Sequence, residues 1–368
     1  MAEGRTTPVP VILLGGGHAH VEVVRRLGEL GFGAQITLVS PSRHAPYSGM
    51  LPGHISGEYS FDDFHIDLAA LCTRAGVTFL ETTATGIDPE QRVVSLASGE
   101  TLGYGLLSID IGSTPSLPKG ISTGISVKPI ASFADRLARL DALAGEGRLS
   151  TLAVVGQGVA GVEVAFALKR RLEGRGIGVS LVGRTAEPVP ERSRWSRRLL
   201  EREMRKAGIA HHPAFDVVAF RDGELVSRDG RRLAVDEVVW TTSSGAPAFL
   251  RETGLLLDDM GFIRVDHTLR SLSHRDVFAA GDVASLPDPR PKAGVFAVRQ
   301  GPVLTANIHR SLSQKRLKPY CPQSYWLVLI SLSDGRAIAD KWGLAISGAW
   351  VARWKYRIDS RFIQKYRR

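Results

Sequence analysis

A strand, a glycine-rich turn and a helix follow one another twice in the chain of 368 residues, with the two copies about 140 residues apart. In each copy a short apolar run leads directly into the glycines. Apolar residues at a spacing of three and four then follow, which indicates a buried helix face. A second apolar strand comes after each helix, so each copy predicts a β-α-β unit. The first copy has its strand at 11–14 and its glycines at Gly15, Gly16 and Gly17; the second has its strand at 152–155 and its glycines at Gly156, Gly158 and Gly161.

The spacing of these glycines is typical of loops that hold a dinucleotide. The first glycine permits a tight turn, and the second lets the backbone approach a diphosphate. The N–H groups at the start of the following helix bind the phosphates, and the helix dipole favours their negative charge. One such loop is weak evidence, but two copies in the same strand-loop-helix context are much stronger. A pair of glycine turns without a ligand is the alternative that the pattern leaves open.

The first copy departs from the usual pattern at two places. His20 stands where a third glycine is usual, which predicts looser packing of the helix on its strand. The second strand ends at Ser40, where an acid that binds a ribose is usual, and Arg43 just beyond it is either a phosphate ligand or a solvated loop residue. We predict that this copy binds one of two adenine cofactors. The residues predicted to contact that cofactor are Gly15, Gly16, Gly17, His18, Ala19, His20, Ser40 and Arg43.

The second copy is complete and predicts a second dinucleotide site that contains Gly156, Gly158 and Gly161. Its second strand ends at Gly183 and Arg184, again without an acid. A missing acid followed by an arginine favours a 2′-phosphate, and therefore NADPH, but only slightly. Arg184 is included in the predicted site, and both NADH and NADPH stay open at this point.

The composition limits the other classes of function. No run approaches the roughly 18 to 20 apolar residues needed to span a bilayer, and the first apolar run is too short for a secretory signal, so the sequence predicts a cytoplasmic protein. The two cysteines, Cys72 and Cys321, form no C-x-x-C pair, which argues against a disulfide framework and against a redox dithiol. We predict no metal site and no nucleic-acid partner, because no motif of either kind is present.

The net charge of +10 is concentrated at the C-terminus, where residues 349–368 carry a net charge of +6. Large apolar residues recur there every four positions, and cations occupy most of the other places. This pattern predicts an amphipathic helix that lies in the headgroups of an anionic membrane, on the inner face of the cell membrane. The alternatives are a helix docked on its own protein and a helix docked on the second copy of a homodimer. The apolar stripe consists of Trp350, Val351, Trp354, Ile358, Phe362, Ile363 and Tyr366.

Several further segments resemble the pyridine nucleotide-disulfide oxidoreductase superfamily, in its branch without a redox disulfide. The likeness is greatest to type II NADH dehydrogenases and to the flavoprotein module associated with selenide, water dikinase, and it covers nearly the whole chain. The segments that carry it are 45–53 and 292–302, which resemble the dikinase-associated module, 108–115 and 238–247, which resemble the two crossings between a flavin domain and a nicotinamide domain, and 275–283, which resembles the late flavin motif.

The resemblance implies that the first glycine loop binds FAD and that the second binds NADH or NADPH. It implies that Asp282 binds the ribityl or diphosphate part of FAD, and that Glu163 either bridges the nicotinamide and flavin sites or passes a proton to the acceptor. Taken alone, Glu163 is an acid in the first turn of a helix. The chain has only Gln300 where type II NADH dehydrogenases carry additional glutamines near their quinone. Further cofactor contacts are predicted for Ala84, Gly112, Gly245, Gly294 and Val295.

These observations predict an α/β protein with two Rossmann-like dinucleotide-binding domains and a C-terminal cap that ends in the basic amphipathic helix. The FAD domain is split into 8–117 and 255–318 by an inserted NAD(P)H domain at 118–254, and the cap is 319–368. The predicted function is an FAD-dependent oxidoreductase that takes hydride from NADH or NADPH and passes electrons to a quinone or a similar small acceptor. The alternatives are a flavoprotein of selenium or sulfur metabolism and a flavin-binding regulatory protein with little turnover.

Overall fold

Strands and helices alternate through both halves of the protein, as the repeated pattern predicts. The structure is a computed structural model that describes residues 9–32, 35–242 and 244–367. Its helices are α1 (His18–Glu29), α2 (Leu51–Ser56), α3 (Phe61–Phe64), α4 (Leu68–Ala75), α5 (Phe133–Gly145), α6 (Val159–Arg171), α7 (Arg194–Ala207), α8 (Gly294–Leu312) and α9 (Ala349–Arg367). Its strands are β1 (Val11–Leu14), β2 (Ile36–Ser40), β3 (His44–Pro46), β4 (His65–Asp67), β5 (Thr78–Glu81), β6 (Ala84–Asp88), β7 (Val93–Leu96), β8 (Thr101–Gly103), β9 (Leu106–Ile109), β10 (Thr114–Pro115), β11 (Ile125–Ser126), β12 (Thr151–Val155), β13 (Gly178–Val182), β14 (Ile209–His212), β15 (Val217–Arg221), β16 (Glu224–Ser227), β17 (Arg232–Ala234), β18 (Glu237–Trp240), β19 (Ser244–Gly245), β20 (Ile263–Arg264), β21 (Val277–Ala279), β22 (Ala284–Ser285), β23 (Val328–Ser331), β24 (Ala337–Lys341) and β25 (Leu344–Gly348).

The first parallel sheet is built around β1, whose four residues are all buried. β1 pairs with β2 on one side and with β9 on the other, and the complete order is β21-β9-β1-β2-β5. The late strand β21 therefore joins strands from the beginning of the chain. Helix α1 packs on α4 and α8. The carboxyl ends of β1 and β9 meet at the edge where ligands bind in sheets of this kind.

The second parallel sheet repeats the same arrangement around β12, in the order β11-β18-β12-β13-β14. Helix α6 follows β12 directly and packs on β12 and β13. Residues 162 and 164–168 of α6 are buried, because α6 packs on the sheet on one side and on α2 on another. The two sheets confirm the predicted α/β class with two Rossmann-like units.

The two crossings between the sheets run side by side. β10 and β19 pair in an antiparallel register, with Thr114 opposite Gly245 and Pro115 opposite Ser244. The hydroxyl of Thr114 donates a hydrogen bond to the carbonyl oxygen of Gly245 at 3.2 Å. This pairing connects the two segments that join the first sheet to the second.

The C-terminal cap consists of the antiparallel sheet β23-β24-β25 and helix α9. The helix begins at Ala349 and packs on β23, β24 and β4. Its side chains Val351, Ile363 and Tyr366 are buried. One face of the predicted amphipathic helix is thus docked on its own protein.

Charged groups fix the far end of α9 to the first glycine-loop helix. The carboxylate of Glu22, which is 1% exposed, accepts a hydrogen bond from the hydroxyl of Tyr366 at 3.0 Å and pairs with Lys365 at 2.7 Å. Burial alone would raise the pKa of Glu22, but hydrogen bonds from Arg25, Lys365 and Arg26 outweigh it and lower the pKa to about 2. The tail helix is therefore held by an acid that is ionised at neutral pH.

Candidate dinucleotide and redox site

The first glycine loop has the backbone geometry that a diphosphate requires. Gly15 has a φ of +95°, and its N–H donates to the carbonyl of Val39 at 2.8 Å, which turns the chain tightly between β1 and α1. The N–H groups of Gly16 and His18 have no hydrogen-bond partner among the described residues. Unpartnered N–H groups at a helix start bind phosphate oxygens, so this loop fits the diphosphate of FAD.

His20 takes the place of the third glycine without loosening the helix. Its ring is buried, with Nδ1 at 2.7 Å from the carbonyl oxygen of Gly15 and Nε2 at 2.8 Å from the hydroxyl of Ser108. Burial lowers the pKa of His20 to about 4, so the ring is neutral at pH 7. The prediction of looser packing is therefore wrong. The ring of His20 fills the space between α1, β1 and β9, and it is hydrogen-bonded on both sides.

Asp110 is a residue of this site that the sequence reasoning missed. Its carboxylate accepts hydrogen bonds from the N–H groups of Ala19 at 2.8 Å and His20 at 3.1 Å. A Cβ on Gly17 would overlap the same carboxyl group. Burial raises the pKa of Asp110 to about 7, while the two N–H groups oppose that shift. Since Asp110 occupies the N–H groups of Ala19 and His20, the place left for a phosphate lies at Gly16 and His18.

Ser40 and Arg43, which were predicted to contact the cofactor at the end of β2, make different contacts with the protein. Ser40 is buried, and its Oγ lies beside Gly16 and donates to the carbonyl of Ser42 at 3.1 Å. Arg43 instead forms an ion pair with Asp67 at 2.7 Å, so a carboxylate of the protein already binds its guanidinium. Its contact with a phosphate stays a prediction. Ala84 is the first residue of β6 and packs on the core beneath the sheet.

The late flavin motif places Asp282 at the junction of the two sheets. Its Oδ2 accepts hydrogen bonds from Lys128 Nζ and from the hydroxyl of Ser113, both at 2.9 Å. Lys128 also donates to the hydroxyls of Ser113 at 2.7 Å and Ser244 at 2.8 Å. This half-buried lysine lies 154 positions before Asp282 in the chain, so nothing near it in sequence pointed to the flavin motif. It ties Asp282 to both crossings between the sheets.

The start of α8 lies against the first glycine loop. Gly294 is the first residue of α8, and a Cβ there would lie 2.9 Å from the Ser48 hydroxyl and 3.4 Å from the ring of His18. Burial lowers the pKa of His18 to about 4. Val295 follows Gly294 in the first turn of α8 and is partly buried.

Two residues near α8 make contacts that the sequence analysis did not predict. Gln300 is buried and accepts a hydrogen bond from the N–H of Gly281 at 2.6 Å, so it holds the late flavin motif in place. Lys292 donates to the carbonyl of Ala284 at 2.6 Å and lies over the ring of Phe262. Burial lowers the pKa of Lys292 to about 8. Lys292 adds positive charge beside the motif that contains Asp282.

The second glycine loop repeats the geometry with a tighter helix contact. Gly156 has a φ of +116°, and its N–H donates to the carbonyl of Val182 at 2.9 Å. A Cβ on Gly161 would overlap the carbonyl oxygen of Gly156, which is why α6 can approach β12 only with glycine there. Gly158 precedes α6 and has open space around its Cα. A dinucleotide diphosphate fits this open space at the helix start.

Glu163 is the fifth residue of α6, so the acid lies in the second turn and not in the first turn that we predicted. Its Oε1 accepts a hydrogen bond from the N–H of Ser331 in the cap at 2.8 Å. Burial raises the pKa of Glu163 to about 7, against the attraction of Lys355 and the hydrogen bond from Ser331. An acid with such a pKa can both give and take a proton near neutral pH.

The tail helix contributes Lys355 and Asp359 to this region, which the sequence reasoning also missed. Lys355 Nζ donates to the carbonyl of Gly49 at 2.5 Å and to Asp359 Oδ2 at 2.7 Å. Burial alone would lower the pKa of Lys355, but Asp359 and Glu163 outweigh it, and the pKa is raised. The ring of Phe362 stacks on Tyr47 with centroids 4.3 Å apart. Helix α9 therefore covers segment 47–50, which adjoins both α8 and the first glycine loop.

The remaining predicted residues lie at the crossings and at the end of β13. Gly112 has a φ of +71° in the turn between β9 and β10, and Gly245 is paired with Thr114. Arg184 is exposed just beyond β13. Cys72 is buried in α4 and Cys321 is exposed, and both are free thiols.

Comparison with known families decides the class of the protein. A family model described as pyridine nucleotide-disulphide oxidoreductase matches residues 9–301. The chain belongs to this family. Members of the family bind FAD and NAD(P)H, so the protein is an FAD-dependent oxidoreductase that uses a nicotinamide dinucleotide, as predicted.

Named relatives cover most of the chain. It is similar to an NADH dehydrogenase-like protein of Mycobacterium tuberculosis, with 27% identity over 292 residues, covering 75% of this chain and 72% of that protein. It is also similar to the demethylphylloquinone reductase NdbB of Synechocystis, with 25% identity over 363 residues, covering 92% of this chain and 88% of that protein. The sulfide:quinone oxidoreductase of Aquifex aeolicus shares the fold, with a TM-score of 0.82 and 17% identity over 98% of this chain and 91% of that chain.

Proposed function

We propose that the protein is an FAD-dependent NAD(P)H dehydrogenase that reduces a quinone or a similar small acceptor. FAD would bind at the first glycine loop, within 8–117 and 255–318, and the nicotinamide dinucleotide at the second, within 118–254. The name of the similar Synechocystis protein, a demethylphylloquinone reductase, supports a quinone-like acceptor.

The observation that carries the proposal is the position of Glu163. This acid lies between the second glycine loop and the cap, and Lys355 connects its surroundings to Gly49. Segment 47–50 in turn contacts His18 and Gly294 through Ser48. Glu163 would therefore lie between the two proposed nucleotide sites, where an acceptor that takes up protons together with electrons needs a proton donor.

The residues of the chain would orient the reactants and balance charge. Bound flavin supplies the acceptance of hydride and the release of electrons. Gly16 and His18 would hold its diphosphate, and Asp282, tied by Lys128, would bind the ribityl chain or diphosphate. The start of α8 places the positive end of a helix dipole near the first glycine loop. The described cysteines form no dithiol, so electrons would pass directly from flavin to the acceptor.

The first test is an anaerobic titration of the purified holoprotein. We expect a yellow protein whose flavin absorbance near 450 nm, typical of oxidised flavin, bleaches rapidly on addition of NADH or NADPH, because both glycine loops are formed. A panel of quinones added to the bleached protein should then restore the colour. Flavin that stays oxidised would support a regulatory protein with little turnover. Bleaching that quinones do not reverse but a sulfur or selenium compound does would support the alternative metabolic role.

We propose further that the exposed part of the cap contacts an anionic membrane surface. The docked face of α9 leaves Trp350 and Trp354 exposed by 49% and 40%, with their rings stacked. Arg353 and Arg357 lie beside them and supply positive charge. The preceding strand β25 also exposes Leu344 and Ile346. Among the described residues no helix is long and apolar enough to cross a membrane, so the contact would be peripheral.

Vesicle binding tests the membrane proposal. We expect the protein to co-sediment with vesicles containing phosphatidylglycerol, less with phosphatidylcholine alone, and less again at high salt, because cations and indole rings act together. The double substitution Trp350→Ser and Trp354→Ser should abolish sedimentation. Leu272→Ser, at an exposed apolar residue outside the cap, is the matched control. Protein that stays in solution with anionic vesicles, or a homodimer that the double substitution separates, would contradict the proposal.

A further inference from the structure

The end of β13 is shaped by the side chain of Gln157. In a dinucleotide site the residue just after this strand is commonly an acid that binds the ribose hydroxyls of NADH. Here that residue is Gly183, and a Cβ on it would overlap the side-chain carbon atoms of Gln157. The φ of Gly183 lies outside the left-handed region, so the neighbouring side chain, and not the backbone, is what demands a glycine. The side-chain amide of Gln157 therefore occupies the space that an acidic side chain at position 183 would need.

The orientation of Gln157 is fixed at both ends. Its Nε2 donates to the carbonyl of Thr185 at 2.6 Å and contacts the Thr185 hydroxyl, and its Oε1 accepts from the Nε2 of His211 at 2.8 Å. The side chain is buried, and its amide is directed at protein groups. A ribose diol arriving at this corner therefore finds no carboxylate to accept its hydrogen bonds.

The same corner carries cationic and hydrogen-bonding groups. Arg184 is exposed directly after Gly183 and forms no ion pair within the part of the chain that the structure describes. His212 lies opposite Val182 in the parallel register of β13 and β14, and the N–H of Gly183 donates to its carbonyl at 3.2 Å. The nearest acid along the chain, Glu187, is paired with Arg197. The local charge is thus positive.

We infer that the second nucleotide site selects a dinucleotide with a 2′-phosphate, so that NADPH is preferred over NADH. Arg184 binds the phosphate dianion, since a guanidinium can donate two parallel hydrogen bonds to phosphate oxygens. His211 and Gln157 form the wall that excludes a carboxylate. The inference rests on the proposed binding of the nicotinamide dinucleotide at the second glycine loop.

Binding measurements on the FAD-loaded protein test the inference without turnover. Titration calorimetry should show that NADP⁺ binds roughly 10- to 100-fold more tightly than NAD⁺, and adenosine 2′,5′-bisphosphate correspondingly more tightly than 5′-AMP. Arg184→Ala should remove this difference and leave the affinity for NAD⁺ unchanged. Arg175→Ala is the matched control, because Arg175 is an exposed arginine at the opposite end of β13. Equal affinities in the wild type, or equal losses for both ligands in Arg184→Ala, would overturn the inference.

A reciprocal variant separates selectivity from folding. The double substitution Gln157→Ala and Gly183→Asp opens the corner and installs the missing carboxylate, so it should reverse the preference in favour of NAD⁺. A variant that binds both nucleotides with the wild-type ratio would contradict the assignment, provided that its melting temperature is unchanged. Binding of NADP⁺ without bleaching of the flavin would count against the proposed function alone. Bleaching by NADH as readily as by NADPH would count against the selectivity alone.

Discussion

Replacing Glu163 with glutamine is expected to slow the reoxidation of the reduced protein by a quinone on the order of 100-fold, which is the contribution of a positioned acid. The amide keeps the size of the side chain and can still meet the N–H of Ser331 through its oxygen. It cannot release a proton. Bleaching of the flavin by NADPH, which needs no proton from this residue, should change little. Stopped-flow measurement of the two half-reactions separates these effects.

The pH dependence supplies a second readout for the same variant. Burial raises the pKa of Glu163 to about 7, so the side chain is protonated below that pH and ionised above it. If the acid donates a proton to the acceptor, the rate of reoxidation in the wild type falls as the pH rises through about 7. The Glu163→Gln variant should lack this limb of the profile. Its remaining rate should be flat across the same range.

Glu173→Gln is the matched control for Glu163→Gln. Glu173 is an exposed acid that follows α6 and pairs with Arg170, far along the helix from the cap. We expect its substitution to leave both half-reactions unchanged. Equal slowing of bleaching and reoxidation in Glu163→Gln, with the pH limb retained, would contradict a proton-donating role and favour a role in holding the nicotinamide.

The parts of the site that the sequence predicts well are those built from neighbouring residues. The turns at Gly15 and Gly156 follow from local spacing. Each glycine is required by a positive backbone φ or by a close approach of backbone atoms within its own β-α-β unit. The same holds for the existence of helix α9, which follows from the periodicity of its apolar residues. Local patterns of this kind predict elements because the cause and its consequence lie in one segment.

The residues that the sequence reasoning missed are brought to the site from distant segments. Lys128 meets Asp282 across 154 positions of the chain, and Asp110 meets Ala19 across 91 positions. A lone lysine or aspartate has no local signature of such a contact, because its partner is chosen by the packing of two sheets. The contacts of Lys128 and Asp110 can be recognised only when the positions of β9 and of the two crossings in the fold are known.

The tail shows why a periodic pattern does not identify its partner. The spacing predicts a helix with one apolar face, and such a face is satisfied equally by lipid or by protein. The deciding contacts come from Glu22 in α1, which pairs with Lys365, and from Tyr47, which stacks on Phe362. No local sequence pattern links either residue to the tail. The pattern predicted the helix correctly, but it did not predict which part of the helix packs on the protein.

Replacement of Gly158 or Gly161 by alanine should weaken dinucleotide binding in both cases, but only the change at Gly161 should also lower the stability of the protein. In Gly161→Ala the new Cβ overlaps the carbonyl oxygen of Gly156 and lies 2.7 Å from the hydroxyl of Thr241. Helix α6 must then move away from β12, which should cost about 1–3 kcal/mol of stability or more and abolish detectable binding of the dinucleotide. Differential scanning calorimetry and calorimetric titration with NADP⁺ measure the two effects.

In Gly158→Ala the new Cβ meets open space, and a φ of −70° suits any residue, so the melting temperature should not change. That space is where the diphosphate is proposed to approach the backbone, so the affinity for NADP⁺ should fall roughly 10- to 100-fold while FAD stays bound. Loss of affinity without loss of stability at Gly158 cannot come from a disturbed fold, and it therefore locates the ligand. Normal affinity in this variant would mean that the second glycine loop is a structural turn and that the dinucleotide binds elsewhere.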